Sequence, residues 1–486
     1  QLFHLNFSFN IIMRQKISRI TDILRRDDGI SGAMHYTEQI SWILFLKFID
    51  DFESREADNA MLDGKDYEYI LKEKFRWNNW VNLQNGMISW DDLKDFVNKE
   101  LFPYLKSFRS NEEDYHSIKY KIGEIFHFID NRIESGHTLR EIIDIINDLN
   151  FQKQEDLFEL SHIYEDLLKG MWNDGGNSGE FYTPRSIIKI MVDSLDPKIG
   201  QTIYDPAAWS CGFLIEAFNH MNAQDKNDKQ LEFLRKNTFF WNEKTGLAYI
   251  MWVMNMILHW VSNPNITKRN TLTSDIRQIQ EKDRFDIILA NPPFGWKEKD
   301  IIQQNFPIKT NATEMLFLQH IMKNLKLWGK SAIVIPEWVL FNTNNAFQDI
   351  KKMMLEDYNI HSIISLPAWV FLPYSWVKTN IIFFDREWAT KDIWYYEINL
   401  DRKLTKNKPI NYEEIKHIPE LLHKREISDN SWIVKVEDIK DFDISAKNPN
   451  NKNEEIIRTP NEIFEELTDN DKQISKLLGE LKNILK

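Results

Sequence analysis

The sequence predicts an α/β protein: a helical N-terminal domain, then a mainly parallel sheet layered with helices, then a polar segment closed by a helical tail. Three observations carry that prediction. Apolar residues recur at three- and four-residue spacing from Ile17 to about Leu168, with almost no strand-like run among them. From about Gly179 to Glu397 short apolar runs alternate with helical stretches, the pattern of strands joined by helical crossovers. From about Asp401 the chain turns polar and loop-rich. The expected divisions are 1–12, 13–168, 169–400 and 401–486.

The elements follow in order. Residues 1–12 lack the basic region and cleavage site of a signal peptide and read as upstream translated sequence, with Met13 as the natural start. Ile17, Ile20 and Leu24 stripe a first helix, Asp28-Gly29 breaks it, and Ile40, Ile43, Leu44 and Phe48 stripe a second. Phe75-Arg76-Trp77 and Trp80 mark a loop with aromatic anchors, and helices follow over 139–149 and 154–168. Strands are expected over 202–204, 238–240, 285–290, 331–335, 360–366 and 380–384. The tail ends on a seam of Ile474, Leu477, Leu478, Leu481, Ile484 and Leu485, which suits either its own domain or a partner helix.

Composition excludes several classes. A formal charge of −13 makes the chain a poor grip for phosphates by itself. One cysteine excludes a disulfide framework and fits a reducing cytoplasm. The longest apolar stretch, 248–261, is too short and too polar to span a membrane. The twelve histidines offer no close ligand pair, so no metal is expected. Two counts are anomalous: glycine is 16 of 486 residues, well under the usual frequency of about 7 %, and tryptophan is 17.

The chemistry concentrates at DIILANPPFG, 286–295, where a strand runs into Asn291-Pro292-Pro293-Phe294. Such a cluster suits the activation of an exocyclic amino group on a planar ring, whose lone pair is delocalised. The Asn291 side-chain oxygen and the Pro292 carbonyl can hold both N–H bonds, and proline pre-aims that carbonyl. Phe294 offers a face for a base flipped out of a duplex. Upstream, TIYDPAAWSCGFLIEA, 202–217, reads as a strand, a tight small-residue loop and a helix, the layout of a nucleotide-type site. Glu243 closes the next strand and suits ribose hydroxyls, and Asp275 follows at a third strand end, able to accept an adenine amino hydrogen.

These motifs together resemble the modification (M) subunit of Type I restriction–modification systems, an adenine-N6 DNA methyltransferase. The stretch Glu180, Phe181, Tyr182, Thr183, Pro184, Arg185 resembles that family's cofactor-binding segment. Asp205, Ala207, Ser210, Cys211 and Gly212 fall in its first S-adenosylmethionine loop, Glu243 on its ribose-binding acid, and Asn291 to Phe294 on its catalytic tetrapeptide. LRRDDGI (24–30), EQISWILFLKFIDD (38–51), LFLQHIMKNL (316–325), LPYSWVKTNIIFFD (372–385) and ISAKNPN (444–450) extend the match over nearly the whole chain from Met13. The resemblance implies a Rossmann-like S-adenosylmethionine-dependent sheet behind the helical domain. It also implies DNA as substrate and a separate specificity (S) subunit held by two copies of this chain, with a restriction (R) subunit left open. NPPF is shared with RNA and protein methyltransferases, so those substrates, and a structural subunit that has lost catalysis, remain alternatives.

The departures from the family are systematic. Tryptophan stands where the family has glycine at 209, 241, 260, 296, 328, 338, 369 and 376, and again at 388. Glycine in such turns supplies positive φ or close backbone approach, which tryptophan supplies only at a cost. The simplest account is a codon, UGA, that is read as glycine in some bacterial lineages and has been translated as tryptophan. The rival account is a decayed, inactive copy.

Overall fold

The computed structural model describes residues 15–81, 89–112, 114, 117–149, 151, 183–208, 211–243, 249, 253–254, 256–257, 265–372, 375–405 and 407–450. The expected upstream segment, the helix over 154–168, the divide near residue 168 and the C-terminal seam lie outside these residues.

The N-terminal part is helical. Residues 15–24 form a helix that buries Ile17, Ile20 and Leu24. It ends at a turn where the buried Asp27 carboxylate accepts from the backbone N–H groups of Gly29 (3.1 Å), Glu134 (2.9 Å) and Ser135 (3.2 Å). A Cβ on Gly29 would lie 1.7 Å from the Arg132 carbonyl oxygen, so only glycine fits that approach. The next helix, Ala33–Leu62, is largely enclosed over residues 33–53, and several of its buried polar groups are paired. Lys47 meets Asp51 at 2.6 Å, and Gln39 accepts from the Trp42 indole at 2.9 Å. The expected aromatic loop is more regular than the sequence suggested. It is a 3-10 turn, Glu73–Phe75, followed by a short helix, Trp77–Val81, because both tryptophans bury on one side of it.

The second part is a mixed sheet. In chain order its strands are β1 (Ile203–Asp205), β2 (Phe239–Glu243), β3 (Asn265–Lys268), β4 (Phe285–Ala290), β5 (Leu325–Pro336), β6 (Asn359–Ser365), β7 (Thr379–Asp385), β8 (Asp392–Glu397) and β9 (Ser431–Lys435). They lie in the order β3-β2-β1-β4-β5-β7-β6-β8-β9. β7 runs antiparallel to both β5 and β6, and β9 antiparallel to β8; the other pairs are parallel. Alternation along β4 shows why the sheet is covered on both sides. Ile287 and Leu289 enter one apolar cluster with the helices Arg185–Leu195 and Gly212–Asn222. Ile288 and Ala290 enter another with the helices Thr313–Asn324 and Asn345–Asp357.

The structure corrects the sequence reading in three places. β3, β8 and β9 were not expected as strands. The residues after 400 are not merely polar loops: β9 extends the sheet, and Ser186 Oγ donates to the Ile410 carbonyl at 3.0 Å, tying this segment to the same domain. Finally, Leu272 to Asp275 is no strand end. β3 stops at Lys268, and a 3-10 turn, Thr271–Thr273, intervenes. Among the described residues no helix is long and apolar enough to cross a membrane.

Candidate active site

Strand order locates the site. From β1 the chain moves outward to β2 and β3, then returns to β4 on the other side of β1. A crevice opens at such a reversal, beyond the carboxyl ends of the strands. Asp205 ends β1, Glu243 ends β2, and Asn291 follows β4 directly. Tyr204 pairs with Ile288 and Phe240, so the three residues share one end of three adjacent strands.

Asp205 is only 2 % exposed. Its Oδ1 accepts from the Ala207 N–H at 3.0 Å, which curls the loop after the strand. Burial pushes this carboxyl up to about 8, and the negative charge of Glu243 pushes the same way. The Pro206 carbonyl accepts from Thr271 Oγ1 at 2.7 Å, tying the loop to the turn after β3. Trp209 and Ser210 lie outside the described residues. Cys211 is buried with φ of 49° and precedes the helix Gly212–Asn222, whose amino end opens onto this loop.

Beneath these strand ends runs a chain of hydrogen bonds, buried except at its Arg269 end, that the sequence reading did not foresee. Arg269 Nε donates to Asn242 Oδ1 (3.0 Å), Asn242 Nδ2 donates to the Tyr204 hydroxyl (2.7 Å), and that hydroxyl meets His320 Nε2 at 3.0 Å. Burial pushes the His320 imidazole down to about 3, so it stays neutral. The chain links β1 and β2 just below Asp205 and Glu243. Asp275 is placed differently from the other acids: its carboxylate grips Arg277 Nε at 2.7 Å and Nη2 at 2.8 Å. Each oxygen keeps lone-pair capacity for a further donor.

The loop after β4 is held from two directions. Asn291 is 4 % exposed, and its Nδ2 donates to Thr183 Oγ1 at 2.9 Å. Thr183 is itself buried, directly ahead of Pro184, whose carbonyl caps the helix Arg185–Leu195. Glu180, Phe181 and Tyr182 lie outside the described residues. On the far side Gly295, at φ 77°, donates its N–H to Glu314 Oε2 at 3.2 Å. The Thr313 N–H donates to the Trp296 carbonyl at 3.2 Å, and Lys297 bridges to Ala312. Pro292 and Phe294 are buried between these anchors, while Pro293 is half-buried. Phe294 meets the Trp338 indole edge-on at 6.3 Å, and that indole donates to Glu314 Oε1 at 3.2 Å. The sequence reading does not single out Glu314. Its one signal is an acid in the first turn of a helix, which favourable interaction with the helix dipole explains equally well.

The tryptophans in glycine-like places divide. Trp328 has φ of 66° and Trp369 of 73°, a region that suits glycine and strains a bulky residue. Trp376 and Trp388 are largely in solvent, and Trp296 is partly so. Trp241 is buried with no hydrogen-bond partner for its indole N–H among the described residues, but so are Trp80 and Trp432. Trp260 lies outside the described residues.

With this geometry in view, the relatives of the chain can be placed. The family model for N-6 DNA methylases matches residues 153–458, and the model for the HsdM N-terminal domain matches 13–146. The methylase subunit of the Type I restriction enzyme EcoEI of Escherichia coli is 33 % identical over 484 residues, 96 % of each chain. A solved modification subunit ascribed to a type I restriction enzyme of Vibrio vulnificus superposes with a TM-score of 0.85 at 34 % identity, over 91 % of this chain and 97 % of that one. Another solved chain, from work on the complex assembly and conformational transition of the type I R-M system, gives a TM-score of 0.75 at 38 % identity over 97 % of this chain and 98 % of that one. The chain belongs to the N-6 DNA methylase family, as a modification subunit of the Type I restriction enzymes and thus an adenine-specific DNA methyltransferase.

Proposed function

We propose that the chain binds S-adenosylmethionine across the ends of β1 and β2 and methylates the N6 of an adenine flipped out of DNA. The observation that carries this reading is the meeting of a charge-starved carboxyl, Asp205, with an anchored Asn291-Pro-Pro-Phe loop at one strand-end crevice. The residues fit that cofactor. A buried carboxyl with no counter-charge among the described residues suits an ammonium, the amino end of Gly212–Asn222 suits a carboxylate, and Glu243 suits ribose hydroxyls. When bound, S-adenosylmethionine supplies a methyl group made electrophilic by its positively charged sulfur.

The protein's own groups do the rest. Asn291 Oδ1 and the Pro292 carbonyl accept the two amino hydrogens of the adenine, turning the nitrogen lone pair toward the methyl. Phe294 packs on the flipped ring. The N6 nitrogen displaces the sulfur from the methyl carbon and then gives up its extra proton to solvent, so no covalent enzyme intermediate is needed. Catalysis is positioning and fixed dipoles in a dry site.

The formal charge of −13 supplies no general grip on DNA, so base sequence is read by a separate specificity subunit held between two copies of this chain. A restriction subunit is the further partner of such an assembly, and the cytoplasm is its compartment. The test is transfer of labelled methyl to DNA by the chain co-expressed with its specificity subunit. Asn291→Ala is expected to slow transfer about 10²–10³-fold with cofactor affinity retained. A near wild-type rate would remove Asn291 from the mechanism. Label in RNA or protein instead of DNA, or no transfer by the parent complex, would favour the other two readings.

A further inference from the structure

We propose that Thr183 is a positioning residue for methyl transfer: its hydroxyl holds the Asn291 amide with the oxygen turned to the target amino group. The inference rests on Asn291 being the acceptor for that group, and it assigns a task to a residue that sequence resemblance connects only with the cofactor.

An asparagine amide has two ends of nearly equal size and opposite character, an acceptor oxygen and a donor NH2. Packing alone hardly distinguishes them. If the NH2 faced an adenine amino group, donor would meet donor and the nitrogen lone pair would not be freed. The oxygen must face the substrate, so the NH2 must find an acceptor elsewhere. Thr183 Oγ1 lies 2.9 Å from Asn291 Nδ2 and is that acceptor. Both residues are more than nine-tenths buried, so water does not compete readily for either end. A hydrogen bond drawn from the NH2 end also polarises the amide, making its oxygen the stronger acceptor. The two residues stand 108 apart in sequence. Thr183 sits rigidly, because Pro184 follows it and caps the helix Arg185–Leu195, and Asn291 sits rigidly at the end of β4. The bond therefore joins the segment ahead of the sheet to the reacting loop.

The test is a double-mutant cycle on the complex with its specificity subunit, measuring single-turnover methyl transfer and S-adenosylmethionine affinity. Thr183→Val keeps the shape and removes the acceptor; Thr183→Ser keeps the hydroxyl. Thr183→Val is expected to slow transfer about 10–100-fold, the scale of a misplaced reacting group, with cofactor affinity within about threefold of the parent. Thr183→Ser should recover most of that loss. In an Asn291→Ala background, Thr183→Val should add almost nothing, because the residue it serves is gone. Additive losses in the double mutant, a loss confined to cofactor affinity, or equal damage from serine and valine would each overturn the inference. An Asn291→Ala enzyme that transfers normally would overturn instead the reading of Asn291 on which it rests.

Discussion

Asp205 ends β1 with a carboxyl acted on by burial, by one backbone N–H and by the charge of Glu243, and its ordinary value of 3.8 rises to about 8. The folded chain thus keeps a proton there that the unfolded chain releases, so the contribution of this group to stability falls as pH rises from about 4 to about 8. A cofactor ammonium reverses the preference, because it needs the carboxylate. Calorimetry between pH 6 and 7.5 is expected to show S-adenosylmethionine binding tighten with pH, approaching about tenfold per unit, and Asp205→Asn to flatten that slope. A flat profile in the parent would place the ammonium elsewhere. Trp328 and Trp369 carry a different prediction. Their positive φ angles are the kind glycine adopts freely. Mass spectrometry of the protein from its own cells is expected to find glycine at both, each lighter by about 129 Da. Tryptophan there would leave the decayed-copy account standing. Asn291 to Phe294 were legible in the sequence because they are contiguous and follow an unmistakable strand. The Thr183–Asn291 bond was not, because no local pattern links residues 108 apart.

At the scale of elements, the loop after β4 borrows its shape from the first turn of the helix Thr313–Asn324. Glu314 is 3 % exposed and carries the Gly295 N–H, so removing its carboxylate frees a loop that otherwise has one geometry. Glu314→Ala is expected to cost about 1.5–3 kcal/mol in stability and to slow methyl transfer more than it weakens cofactor binding. Glu314→Gln, which keeps an acceptor, should do less of both. Thermal unfolding and single-turnover rates check this; an unchanged rate would make the contact purely structural. The expected strands over 285–290, 360–366 and 380–384 fall within a residue of β4, β6 and β7, since each of these central strands is mostly buried and carries an unbroken apolar run. β3 and β9 escaped notice because they are the two edges of the sheet, half in solvent and under little pressure to be apolar. β8 escaped as a strand because DIWYYE has aromatic rather than aliphatic weight.

At the scale of the molecule, the sequence from Ile474 to Leu485 spaces its apolar residues as one side of an amphipathic helix would, with lysines and a glutamate between them. Deleting the residues after Thr468 is expected to reduce co-purification with the specificity subunit while cofactor binding persists. Normal assembly by the truncated chain would make the seam a cover for its own domain. The sheet itself imposes a timetable on synthesis. β7 lies between β5 and β6, all seven of its residues buried, yet it leaves the ribosome after both of them. Until Asp385 emerges, β5 waits with one open edge and β6 with both, since β8 follows later still. The nascent chain thus passes through an interval in which these open edges can pair with each other or with a neighbour. A pause in translation between about residues 365 and 385 prolongs that interval, and brisk elongation through the same stretch shortens it.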